Sequence, residues 1–381
     1  MRDRAAIVGI GQTEFAKDIG RPEQRIALEA ISAALDDSGV GAHEVDGLVK
    51  FSLENTMEVD IARNLGMQNL RFFADVAYGG GAGCGAVGHA AMAVASGQAE
   101  VVVVWRARNR GSGGRPWAKK GNRAGGEMQW FLPFGLSRPV DQIAMLARRH
   151  MIEYGSTSEQ LGAVAVAFRE HAQQNPAALM HGRPMTLEDY LASRWISEPL
   201  RLFDCCLETD GALAVVVTSA ERARDLRRPA ALVRGYAQGT GSEHLVMANY
   251  FTRDPLDSPG HHAARDLWRN AGIGPDEIDS AQMYDAFTPL ILISLEAFGF
   301  AKPGEGGPFA AEGNLRLGGA LPTNTSGGGL SEAYVHGMNL ILEGARQIRG
   351  DSVNQVAGCE TVMVSSGNGV PTSALVLRKD T

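Results

Sequence analysis

One nine-residue phrase occurs twice in this chain, as SGVGAHEVD at 38–46 and, 233 residues later, as AGIGPDEID at 271–279. Each copy follows an amphipathic stretch, IALEAISAALDD or HHAARDLWRN, and leads into a short extended segment, DGLVKF or SAQMYDAF. Each is preceded by an apolar strand carrying glycines (AAIVGIGQTEF at 5–15, AALVRGYAQGTG at 230–241), and each half closes on an apolar run, ALAVVVTSA at 212–220 or SALVLRKD at 373–380. A period this long is not a solenoid's. It describes two α/β halves in tandem, 1–228 and 229–381, in which β-rich runs such as VVVVW and ETVMVSS alternate with helices, so that sheets are covered by helices.

Residues 106–200 have no counterpart of equal length in the second half and are expected to form an insertion. It opens with RARNRGSGGRPWAKKGNR, glycine-rich with seven Lys/Arg, a solvated loop or a loop that meets phosphates. The four cysteines (Cys84, Cys205, Cys206, Cys359) have no C-x-x-C spacing, so neither a disulfide framework nor a zinc site is expected. A net charge of −7 argues against general nucleic-acid binding. The apolar run from Ala5 to Ile10 is too short for a signal peptide, and no window approaches the roughly 18 apolar residues of a membrane span. The expectation is a soluble, cytoplasmic protein.

Several segments resemble the thiolase superfamily, in particular its sterol-carrier-type branch. These are FDCCLETDGALAVVVTS at 203–219, the insertion helices in YGSTSEQLGAVAVAFREHAQQNPAALM at 154–180, and the glycine-rich TSGGGLSEAYVHGMN at 325–339. The resemblance implies two βαβαβαββ halves in a layered αβαβα arrangement. It also exposes what is missing. Counting back from the Gly97-Gln98-Ala99-Glu100 turn, the family's nucleophilic cysteine falls on Gly80, within Tyr78-Gly79-Gly80-Gly81-Ala82-Gly83. Cys84 lies about one helical turn further on and reads as core. The family's His or Asn is replaced in Tyr284-Asp285-Ala286-Phe287, its Gly-His-Pro histidine falls on Tyr334, and its second cysteine maps near Ser365 or Ser366.

Without a nucleophile, acyl transfer through a covalent thioester is not expected. Retro-aldol cleavage of a 3-hydroxyacyl-CoA remains, because it needs only a base, an acid and an oxyanion hole. Tyr284 and Tyr334 are the candidates for the proton transfers, although either phenol could instead be a hydrogen-bonded core aromatic. His336 and Asp285 are candidates for support, His336 or a helix N-terminus by stabilising a phenolate. Backbone of Gly80, Gly81, Gly328, Gly329, Gly367, Asn368 and Gly369 is expected to form the substrate and oxyanion loops, with room beside Gly80 for a branched substrate. The resemblance is strongest to the cysteine-less branch that shortens steroid side chains held as CoA thioesters. It implies a 17-hydroxy steroid 20-carboxyl-CoA substrate split to a ketone and propionyl-CoA. It also implies no cofactor in this chain, a homodimeric core in a heterotetramer, and an OB-fold, zinc-ribbon acyl-CoA-binding subunit as partner, any zinc being held there. LRFFADVAY at 70–78 is the candidate dimer-edge strand. A noncanonical acyltransferase and a silent acyl-CoA or lipid binder are the competing readings.

Overall fold

The computed structural model describes residues 1–113, 128–247, 251–254 and 256–380. The part of the basic stretch from 114 to 123 lies outside the described residues. In the first half, β1 (Ala5–Gln12), α1 (Glu23–Ser38), β2 (Gly47–Phe51), α2 (Glu58–Leu65), β3 (Phe72–Val76), α3 (Gly83–Ala95) and β4 (Val101–Asn109) are followed, after the insertion, by β5 (Asp210–Ser219). The second half repeats the plan with β6 (Ala231–Gly239), α6 (Pro259–Ala271), β7 (Ser280–Gln282), α7 (Thr288–Ala297), α8 (Met338–Arg349), β8 (Thr361–Ser366) and β9 (Thr372–Lys379). The insertion contributes α4 (Pro139–Tyr154) and α5 (Ser158–Gln174).

The strands run β3-β2-β4-β5-β1-β6-β9-β8-β7. The halves meet at β1–β6, where only Ala6–Leu232 and Ile7–Ala231 pair. On either side of that seam the order is mirrored, and a parallel bridge from Ala281 to Thr323 stands where the first half has β3. Helices α3 and α8 each pack against strands of both halves, whereas α1 and α6 cover the outside of their own halves. The result is the layered αβαβα thiolase arrangement. Outer helices seat closely because the opening strands carry glycine. A side chain at Gly11 would overlap the Ala30 carbonyl of α1, and one at Gly239 would meet the backbone of Ala263 in α6.

The repeated phrase is a fastening. Both outer helices stop at a glycine in the left-handed region, Gly39 and Gly272. A one-turn helix follows, with Glu44 or Glu277 accepting the amide of Gly41 or Gly274. The terminal aspartate then ties the next strand to its neighbour: Asp46 accepts the amides of Glu100 and Val101, and Asp279 those of Glu360 and Thr361. Among the described residues no helix is long and apolar enough to cross a membrane.

Candidate active site

Tyr284 follows β7. Its amide faces Ser365 Oγ at 3.3 Å, and the preceding Met283 amide donates to Asn324 Oδ1 at 2.6 Å. Tyr334 follows the π-helical turn Gly328–Glu332, and its amide donates to Thr209 Oγ1 at 3.0 Å. The insertion steadies that turn: Arg169 of α5 donates to Ser331 Oγ at 3.0 Å, and Asn175 Nδ2 lies 3.2 Å from Glu332 Oε1. These anchors bring two residues 50 apart in sequence together. The phenol oxygens of Tyr284 and Tyr334 share a short hydrogen bond, and the ring centroids are 6.1 Å apart.

Gly80 explains why the pair fits. A side chain there would overlap the Tyr284 phenol oxygen and ring. The room expected beside Gly80 for a branched substrate is therefore taken by Tyr284, a correction to the sequence reading. Cys84 is fully buried in α3, its Sγ 3.2 Å from Ser366 Oγ and 3.4 Å from the Val364 carbonyl. Burial pushes its thiol up to about 12, the opposite of what a thiolate nucleophile needs.

Part of the glycine-rich backbone is engaged within the protein itself. Gly329 and Leu330 give their amides to the two oxygens of Asp285, at 2.8 and 3.1 Å, and side chains at Gly328 or Gly329 would run into that carboxylate. Asp285 thus shapes the loop and takes up the Gly329 N–H; burial outweighs these amides and pushes its carboxyl up to about 6. Asn368, at positive φ beyond Gly367, has its amide on Thr372 Oγ1, while its side chain binds Ser294 Oγ and the Gly260 amide. Its N–H is therefore engaged rather than offered to a ligand. Gly81 is pressed against the Pro371 carbonyl, Gly367 against Gly81, and Gly369 against Ile143 and Leu290. These glycines permit close packing of the chain around Gly81 and Pro371.

The residues missed by sequence reading are arginines. The strand β4 continues through Asn109, four residues into the stretch expected to be the insertion. Arg106, read there as part of a basic loop, is wholly buried. It faces Glu54 at 3.3 Å and donates to His336 Nδ1 from Nε at 3.1 Å and Nη2 at 2.8 Å. The Arg110 guanidinium lies 5.4 Å from the centroid of the Tyr334 ring, with Nη1 3.3 Å from His336 Nε2. Its signal was the alternation Arg106, Arg108, Arg110 running on from a buried strand.

These charges set the electrostatics. Burial first, then Arg106 and Arg110, hold His336 well below the ordinary histidine value, so it is neutral. For Tyr284, burial and its neighbour Tyr334 raise the phenol well above its ordinary value near 10. For Tyr334, burial first and then the Cys206 thiol also raise the phenol above its ordinary value, against the opposing pull of Arg110, the hydrogen bond with Tyr284 and Arg106. The arrangement is two phenols joined in one hydrogen bond beside a cation, able to take up one proton and give one out.

Comparison with known proteins agrees with this geometry. Residues 239–377 match the family model described as thiolase C-terminal domain-like. The steroid side-chain-cleaving aldolase of Thermomonospora curvata is 50% identical, over 99% of this chain and 98% of its own. The 17-hydroxy-3-oxo-4-pregnene-20-carboxyl-CoA lyase of Mycobacterium tuberculosis is 49% identical, over 98% of this chain and 99% of its own. The solved Ltp2-ChsH2(DUF35) aldolase superposes with a TM-score of 0.94 at 49% identity, covering 100% of this chain and 98% of the other.

Proposed function

We propose a division of labour within the site from the premise that this chain belongs to the thiolase superfamily and, within it, to the steroid side-chain-cleaving aldolases. The chain is a carbon–carbon lyase that splits a steroid side-chain CoA thioester by retro-aldol cleavage. In the proposed cycle, ionised Tyr334 takes the proton of the substrate's 3-hydroxyl group. The alkoxide collapses to a ketone as the Cα–Cβ bond breaks, and its electron pair becomes the thioester enolate. Tyr284 protonates the enolate at Cα, releasing propionyl-CoA when the acyl chain is a 20-carboxyl-CoA. Tyr334, now neutral, returns a proton to Tyr284 through their shared hydrogen bond. Every proton is accounted for, no redox step occurs, and no acyl group becomes attached to the protein.

The observation that carries this reading is the hydrogen bond between the two phenols, with Tyr284 standing where a nucleophile's side chain would be. Deprotonation by Tyr334 rather than Tyr284 is supported by Arg110 above its ring. The chemistry as written calls for no cofactor in this chain, and any zinc is assigned to the partner.

The proposal extends to assembly. The solved relative is a complex with a DUF35 protein, which supports a small acyl-CoA-binding subunit, of OB-fold and zinc-ribbon type, as this chain's partner. A homodimeric core is supported by β3, which stands at the edge of the sheet with Phe73 67% exposed and Tyr78 50% exposed beyond its end. Unpaired apolar edges of this kind favour strand addition.

The test is to co-express the chain with such a subunit, establish the stoichiometry by light scattering, and supply the 17-hydroxy steroid 20-carboxyl-CoA. Equimolar ketone and propionyl-CoA are expected, with no mass added to the protein at any stage of turnover. A trapped acyl adduct on Cys84 would reject the reading.

A further inference from the structure

Residues 205–209 join the one-turn helix Leu202–Asp204 to β5, and a buried aspartate fixes each end of that link. Asp204 accepts the Arg201 amide at 2.6 Å and the Tyr190 phenol at 2.7 Å, together with the hydroxyl of Thr288, the first residue of α7. Tyr190 belongs to the insertion's short helix Leu187–Ala192, so this end ties the insertion to the second half. At the other end Asp210 accepts the amides of Gly111 at 2.7 Å, Ser112 at 3.1 Å and Ile19 at 3.2 Å, and also the Ser112 hydroxyl. Its own amide donates to the Ala16 carbonyl at 2.7 Å.

Between these anchors both catalytic loops hang from the link. Cys205 bridges to Phe287, and the Cys206 amide donates at 3.0 Å to the carbonyl of Ala286, two residues beyond Tyr284. The Leu207 amide donates to the Gly329 carbonyl at 3.0 Å, in the turn that leads to Tyr334. The last contact is made by a side chain. Tyr334 follows Ala333, whose backbone is extended (φ −167°, ψ 148°), and lies outside helix and strand; its amide donates to Thr209 Oγ1 at 3.0 Å. Three residues of extended chain span roughly 10 Å, so the contacts at 206 and 209 limit how far apart the two loops can stand. Thr209 is fully buried, and branching at Cβ leaves it few rotamers. A buried N–H that loses its acceptor is costly. For Tyr334 the relief is a shift of backbone, which carries the phenol out of line with Tyr284.

We propose that Thr209 is a positioning residue for the cleavage: its hydroxyl oxygen sets the backbone of Tyr334 so that the phenol meets Tyr284, and Asp210 holds Thr209 in register. This rests on the retro-aldol reading but concerns geometry rather than the ionisation of either phenol. The experiment compares wild type, Thr209→Val, Thr209→Ala and Thr209→Ser in the assembled complex, supplied with the 17-hydroxy steroid 20-carboxyl-CoA. Thr209→Val is also combined with Tyr334→Phe. Each protein is followed by kcat, KM and urea unfolding.

Thr209→Val and Thr209→Ala remove the acceptor, and each is expected to lower kcat about 10²-fold, the usual loss for a misplacement of about 1 Å, with KM near the wild-type value. Thr209→Ser keeps the oxygen and is expected to recover most of that loss. Combined with Tyr334→Phe, Thr209→Val is expected to add nothing, because a residue that acts through a phenol has no effect once the phenol is gone. The two acceptor-free variants differ in bulk, so misfolding of one leaves the other informative. Lowered stability with kcat unchanged, or a loss that Thr209→Ser does not recover, would overturn the proposal. So would a loss from Thr209→Val as large in the Tyr334→Phe background as in wild type. Normal turnover by Tyr334→Phe would sink the retro-aldol reading and the positioning role together. An inactive Tyr334→Phe beside a fully active Thr209→Val would remove the positioning role alone.

Discussion

The two halves of this molecule differ least where they are fastened and most where they meet the substrate. Asp46 and Asp279 close the same turn in the same way, each accepting two successive amides from the strand beside it. At the catalytic end the symmetry is gone. The first half supplies an absence, Gly80, together with the charges Glu54, Arg106 and Arg110; the second supplies Tyr284, Tyr334 and His336. The contacts of this fastening lie within one half, so a duplicated sequence retains them. The site is assembled across the seam, where each half is free to become the complement of the other.

The contrast can be tested from its largest consequence downward. Tyr334→Phe and Tyr284→Phe should each lower kcat about 10²–10⁴-fold, the usual worth of a proton-transfer group, with thermal unfolding little changed. Equal turnover in either variant would remove that phenol from the chemistry. Gly80→Cys should lose activity to a similar extent, because the new side chain displaces the Tyr284 ring; its product profile would also reveal any thiolysis. Inside the second-half loop, burial pushes the Glu332 carboxyl up to about 7, against an ordinary value of 4.5. Since the folded-state value is the raised one, its contribution is fully present below about 4.5 and is lost as the pH rises through about 7. Glu332→Gln should therefore flatten the fall in stability over that window, measured by urea unfolding at several pH values.

The fastenings should respond more mildly and unequally. Asp46→Ala removes a buried carboxylate that also meets Arg71 at 2.7 Å, and should cost about 1–3 kcal/mol. Asp279→Ala, at an exposed position, should cost less. Equal losses would mean that the two fastenings are not distinguished by burial. Smallest of all, Cys84→Ser should leave turnover nearly intact, since the thiol lies in the core against Ser366, the Val364 carbonyl and the Leu375 backbone.

Legibility in the sequence follows the same division. The repeated nine-residue phrase exposed the duplication, and the altered family motifs pointed to Tyr284 and Tyr334. The burial of Arg106 was not legible, because its partner Glu54 lies 52 residues away and the apolar run VVVVW gives way to charge at that point. For the same reason the N–H groups of Gly329 and Asn368 were read as free donors. The carboxylate that occupies Gly329, Asp285, is 44 residues distant in the chain and converges only in the fold.

The overlap between a side chain at position 80 and the Tyr284 ring has a historical consequence. Restoring sulfur at 80 while the tyrosine remains gives a steric clash, and trimming the tyrosine while glycine remains leaves neither acid nor nucleophile. The two positions are coupled: a side chain at 80 and the Tyr284 ring exclude each other, so a change at one calls for a change at the other. Ancestral reconstruction around this one contact would locate the step at which the lineages parted.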